Sequence, residues 1–245
     1  MSPLDFKEPP KVPTLNVMLY GAEGVGKTTG ALSAPGPVLL LNAEGPNAAM
    51  FSRRHSEKGH ILEVPVTDSQ TLLDAISYTE EGICKTVVLD SLSATFQVLL
   101  DHATGGGKPT LPQYGDVTTM IERFCRHMRD LPVNFIAIAH EQTVKDEESG
   151  VIERLPYTGT SNPTLGVKLM AQVDIVGYCG RAKPENGEAV YLAQLFPGGG
   201  RRGKDRTGTL GESRTMDLTD WLATYTRALE PATPRSREKK EAIPA

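Results

Sequence analysis

Apolar residues fall in short dense runs divided by polar stretches, and the spacing alternates between two periods. Residues 15–20, 38–41, 86–89 and 135–139 are largely apolar blocks of strand length, with a weaker one at 61–64. A short apolar block bounded by turn signals reads as a strand buried on both faces. Between the blocks, residues 69–80 carry Leu72, Leu73 and Ile76 at helical spacing behind a Thr67-Asp68-Ser69 start signal. Residues 92–102, 117–131 and 163–170 predict further helices. Residues 173–179 and 190–196 predict a late strand pair. Residues 220–229 predict a closing helix, where Leu218, Trp221, Leu222 and Tyr225 share one face as core packing. Residues 104–115 hold three consecutive glycines and two prolines and read as loop; residues 142–162 read as a polar, mobile stretch. Strands alternating with helices predict an α/β fold, a mostly parallel sheet covered by helices with a late antiparallel hairpin.

Composition narrows this picture. A chain of 245 residues suits a single α/β domain, here residues 14–230, between a proline-rich extended arm (1–13) and a disordered charged tail (231–245). The net charge of −4 weighs against a dedicated nucleic-acid module but leaves room for a local basic stripe. Cys84, Cys125 and Cys179 lie far apart and match no metal spacing. Cys84 and Cys179 sit in or beside apolar runs and read as reduced core residues, which predicts a cytoplasmic protein. The first residues lack the apolar segment of a signal peptide, and no stretch is long enough to span a bilayer.

The chemistry begins at Gly21-Ala22-Glu23-Gly24-Val25-Gly26-Lys27-Thr28, which satisfies G-x-x-x-x-G-K-[ST] at every fixed position. An apolar strand precedes it and a helix start follows, with Thr29 the next residue in line. The glycines let successive N–H groups turn toward phosphate oxygens, and the helix start adds its positive end. Lys27 is placed for the β- and γ-phosphates of ATP, and the Thr28 hydroxyl for Mg²⁺. Val87-Val88-Leu89-Asp90-Ser91 ends a buried strand in a carboxylate, the place from which Asp90 holds the water shell of that ion. Leu39-Leu40-Leu41-Asn42-Ala43-Glu44 sets another carboxylate just past a strand, where Glu44 can polarise the attacking water.

A phosphate loop, a glutamate after the next strand and a hydrophobic-Asp-Ser segment, in that order, resemble the core of the RecA family over roughly residues 14–228. Recombinases of that family have Asp-x-Glu where this chain has Asn42-Ala43-Glu44. The compact length is most similar to small phage-encoded RecA-like ATPases, some of which work with single-strand annealing and recombination. The resemblance implies a Mg²⁺-dependent ATPase acting on single-stranded DNA, in the host cytoplasm if phage-encoded. Residues 135–142 resemble the strand ending in a γ-phosphate sensor; the family's Asn-Gln is here His140-Glu141, leaving His140, Glu141 and Gln142 as candidates. The resemblance also implies a homo-oligomer with nucleotide at its interfaces. Lys204 and Arg206, in the basic segment 201–206, resemble a Lys-x-Arg that reaches a neighbouring subunit's nucleotide; a solvated loop or a nucleic-acid clamp is the alternative.

Residues 104–115 and 142–162 occupy the places of the family's two DNA-binding loops. Lys108 and Tyr114 in the first, with Lys145 and Arg154 in the second, are candidates for phosphate contact and base stacking. Asp146, Glu147, Glu148 and Glu153 in the second oppose a polyanion. Asp174 is a structural anchor or part of the catalytic surround. Phe6 is either a docking residue of the arm or part of a disordered one.

Overall fold

The structure is a computed structural model that describes residues 13–45, 61–145, 150–183 and 187–229. The expected arm with Phe6, the tail, and Asp146, Glu147 and Glu148 lie outside these residues.

Three fully buried strands, β1 (Asn16–Tyr20), β2 (Val38–Asn42) and β4 (Thr86–Asp90), form where the apolar runs are continuous. With β3 (Ile61–Pro65), β5 (Asn134–Lys145), β6 (Ile152–Tyr157), β7 (Ile175–Ala182), β8 (Val190–Gln194), β9 (Lys204–Asp205) and β10 (Ser213–Thr215) they build one sheet. Its order is β10-β8-β7-β1-β5-β4-β2-β3, with β6 on β5 and β9 on β7. The pairs from β7 through β1, β5, β4 and β2 to β3 are all parallel. The late strands β8, β9 and β10 and the hairpin strand β6 pair antiparallel. This is the α/β P-loop NTPase arrangement, a mostly parallel sheet flanked by helices, that the residue pattern predicts.

The helices are α1 (Lys27–Ala31), α2 (Ser69–Glu80), α3 (Leu92–Thr104), α4 (Leu111–Asp130), α5 (Thr164–Gln172) and α6 (Leu218–Leu229). Alternation along β1 sends Met18 and Tyr20 to one face and Val17 and Leu19 to the other. The first face buries Leu72, Phe96, Phe124 and Leu169 from α2 to α5; the second buries Ala31 of α1 and Leu218, Trp221 and Tyr225 of α6. Trp221 is fully buried and donates its indole N–H to the Thr215 carbonyl at 2.8 Å, tying α6 to β10. Among the described residues no helix is long and apolar enough to cross a membrane.

Two stretches differ from the sequence reading. The loop expected through residue 115 becomes helix at Leu111, because Pro112 sits in the first turn, where a missing N–H costs nothing. The Gln113 carboxamide accepts from the Thr110 N–H at 2.9 Å and closes that end. The mobile stretch expected from 142 onward is instead ordered in its described part, since β5 runs on to Lys145 and pairs with β6 from His140↔Tyr157 to Lys145↔Ile152. Apolar periodicity cannot reveal this hairpin, whose β5 residues beyond Ala139 are not buried. Pro156 is tolerated because β6 is an edge strand.

Candidate nucleotide site

β1 ends at Gly21, and the chain curls back over its own sheet before α1 begins. A Cβ on Gly21 would stand 2.6 Å from the Cys179 carbonyl oxygen, so no side chain fits where the loop leaves β1 beside β7. Gly26, at φ +81°, closes the curl in a left-handed conformation that glycine adopts without strain. Among the described residues the N–H groups of Ala22, Glu23, Gly24 and Gly26 donate to no partner in the chain, which leaves them available to an anion. The helix that follows, α1, has only five residues and so adds no long helix dipole at this place.

Lys27 is buried, and its ammonium donates to the carbonyls of Gly21 at 3.0 Å and Ala22 at 2.6 Å. Burial holds its pKa below the usual lysine value, opposed by the charges of Asp90, Glu44 and Glu23. The Thr28 hydroxyl donates to Asp90 Oδ2 at 2.6 Å, across 62 residues of sequence. Burial pushes the Asp90 carboxyl above its ordinary range, and the Thr28 bond acts the other way.

Glu44 reaches this group through a turn built by Asn42. The Asn42 side chain accepts from the Glu44 N–H at 2.9 Å and donates to the Gly45 carbonyl at 3.0 Å and to Glu63 at 2.7 Å. One Glu44 oxygen, Oε1, takes a hydrogen bond from the Ser91 hydroxyl and lies 3.1 Å from His140 Nε2. The His140 contact, then the Ser91 bond and the Lys27 charge, hold the Glu44 carboxyl below its usual range against the effect of burial.

Lys27, Thr28, Glu44, Asp90 and His140 share a cleft of about 1050 Å³ with Glu23, Thr29, Tyr191 and Met216. Of the three sensor candidates, only His140 lines it. Glu141 points to the opposite side of β5, where its charge acts on Arg154 and Tyr20, and Gln142 donates to the Pro156 carbonyl at 3.1 Å.

Lys204 and Arg206 are not in the cleft. Lys204 pairs with Val176 and Asp205 with Ile175, beside Val17 at the other end of β1 from the loop. Along β1, Val17 is itself about 13 Å from Gly21 at the rise of an extended strand. The Lys204 ammonium donates to the carbonyls of Val173 at 2.5 Å, Ala171 at 3.2 Å and Met170 at 3.3 Å, covering the C-terminal end of α5. Arg206 pairs with Asp174 at 2.7 Å, and Asp174 also accepts from Asn16 at 3.2 Å, which makes Asp174 an anchor. Tyr114 stacks on Phe96 with centroids 6.2 Å apart, and Arg154 donates to the Tyr178 hydroxyl at 3.3 Å.

A family model described as an AAA domain matches residues 14–217. The chain belongs to the AAA-domain family. The match spans the loop, both carboxylates and the late strands, so this AAA domain is a P-loop ATPase domain with a nucleotide site. No curated protein matches its sequence. A KaiC-like protein from the archaeon Pyrococcus horikoshii is 16% identical, with a TM-score of 0.44, over 74% of this chain and 78% of its own. The flagellar accessory protein FlaH from Methanocaldococcus jannaschii is 10% identical, with a TM-score of 0.46, over 82% and 84%. Neither likeness is close enough to transfer a role to a residue of the AAA domain.

Sequence reasoning missed Ser91 and Tyr191 as parts of this site. Ser91 was readable as the residue after the strand-ending aspartate. Tyr191 carries no local signal, since a tyrosine in a strand is ordinary.

Proposed function

We propose that the protein is a Mg²⁺-dependent ATPase that forms a homo-oligomer and couples hydrolysis to single-stranded DNA. The observation that supports ATP chemistry is the convergence of Lys27, Thr28, Glu44, Asp90 and His140 on one cleft, from the carboxyl ends of β1, β2 and β4 and the point where β5 leaves the parallel sheet. The free amides of Ala22, Glu23, Gly24 and Gly26 and the Lys27 ammonium bind the β- and γ-phosphates. Thr28 and Asp90 offer hard oxygen donors, which fit Mg²⁺, and among the described residues no trio of His, Cys, Asp and Glu forms an all-protein cage. Such a site suits an ion that keeps water and phosphate oxygens as ligands, and that ion supplies neutralisation of phosphate charge. Glu44 accepts the proton of the attacking water, and Ser91 and His140 orient its carboxylate.

Coupling to DNA is supported by the continuity of β5. His140 touches Glu44, and five residues later the same strand ends at Lys145 in the hairpin with β6, which carries Arg154. A hairpin gripped at its tip shifts the histidine where it joins the sheet. The oligomer is supported by Arg206, which lies outside its own cleft with an exposed side chain, where exchanging its Asp174 partner would let it reach a neighbour's nucleotide.

The test is phosphate release with and without single-stranded DNA, beside sizing with ATP and Mg²⁺. Turnover raised by DNA is expected; turnover indifferent to DNA removes that part of the reading and leaves a ring-forming motor. ATP binding without phosphate release, unchanged by Glu44→Gln, leaves a nucleotide-gated assembly protein.

A further inference from the structure

The cleft has a second wall, and none of its side chains has a part in the chemistry above. Tyr191 of β8 and Met216, just past β10, line it together with Glu188 and Asp217, on the far side of β1 from Glu44 and Asp90. Tyr191 is 40% exposed, although it lies directly against the phosphate loop. A Cβ on Gly26 would stand 2.9 Å from the Tyr191 ring and 3.4 Å from the Met216 methyl, and one on Gly30 would stand 2.8 Å from the Met216 Cβ. The ring therefore sits at a fixed, contact distance from the amides that take the phosphates. Its direct partner across the β7–β8 ladder is Arg181, whose guanidinium lies 5.8 Å from the ring centroid. Arg181 does not line the cleft, so it braces the ring from outside.

A large aromatic surface, held rigid and left open beside a phosphate cradle, matches a ligand with phosphates at one end and a flat π-system at the other. We propose that Tyr191, with Met216 beside it, is the platform on which the base of the bound nucleotide stacks. This rests on the nucleotide reading of the same site. The thioether suits the edge of a ring system, and the aromatic face accepts any base, favouring the larger overlap of a purine. The wall thus separates a nucleoside triphosphate from bare triphosphate.

Calorimetric binding of ATP and of inorganic triphosphate to the full chain tests this, in the wild type and in Tyr191→Phe, Tyr191→Leu and Lys27→Ala. Tyr191→Leu keeps apolar bulk against Gly26 and removes the ring face. It is expected to weaken ATP about five- to 150-fold, the range of base–aromatic stacking, while triphosphate binds as to the wild type. Tyr191→Phe keeps both affinities. Equal losses for ATP and triphosphate would mean that Tyr191 only shapes the loop, and undiminished ATP binding to Tyr191→Leu would mean that the base lies elsewhere; either overturns the proposal. Wild-type protein that binds neither ligand, or Lys27→Ala that binds both normally, would instead overturn the nucleotide reading itself.

Discussion

Glu44 is the residue whose chemistry the site turns on, and its surroundings predict how it fails. Glu44→Gln keeps the Asn42 turn and the size of the side chain but cannot take a proton. ATP affinity is expected to stay while single-turnover phosphate release falls about 10²- to 10⁴-fold, the usual weight of a general base. A fall in affinity to match would make Glu44 a binding residue instead. His140 tests the same carboxylate by pH. Its contact is the largest influence depressing the Glu44 pKa, so the ionised base persists to lower pH than an ordinary glutamate allows. Removing the donor in His140→Ala lets the proton on earlier, and the acid limb of the turnover–pH profile is expected to move to higher pH. A limb that stays in place would assign His140 to the ligand rather than to the base.

Elements decide which of the two late cations is free to act. Lys204 covers three carbonyls at the end of α5, whereas Arg206 makes one ion pair and has an exposed side chain. Lys204→Met is expected to lower stability by about 1–2 kcal/mol through uncapped carbonyls, read as a lower midpoint in thermal or urea unfolding. Arg206→Ala is expected to cost about 1 kcal/mol or less, as an exposed pair does. The reverse order of losses would exchange their roles. The same pair shows where the sequence stops being legible. Strands buried on both faces, such as Val38–Asn42 and Thr86–Asp90, announce themselves as apolar runs, and the carboxylates at or just past their ends follow. The hairpin of β5 and β6 does not, because its pairing beyond the core needs no apolar pattern. Nor does the use of Lys204 as a helix cap, which depends on β9 lying beside β7, a contact between segments far apart in the chain. Arg201-Arg202-Gly203-Lys204-Asp205-Arg206 reads as one basic cluster, yet the fold divides it: Arg202 pairs with Glu153 at 2.8 Å, Lys204 meets carbonyls and Arg206 meets Asp174.

On the scale of the whole molecule, the sheet holds its phosphate loop at one end of β1 and Arg206 beside the other. Within one chain the fold holds them apart, so the role proposed for Arg206 in catalysis calls for a second copy stacked head to tail, with one copy's cleft against the next copy's β9 edge. Such a heterologous contact repeats into a ring or filament. It also makes the active site divisible. Lys27→Ala protein has no working cradle but an intact Arg206; Arg206→Ala protein has the converse. Each alone is expected to be inactive, and an equimolar mixture regains hydrolysis wherever an intact cradle faces an intact arginine, about one interface in four if copies mix at random. Phosphate release from mixtures of varied ratio measures this directly, and a maximum near equal proportions identifies a shared site. A mixture no more active than its parts, in protein shown by sizing to have assembled, would confine Arg206 to its bond with Asp174 and leave each cleft to work from its own residues.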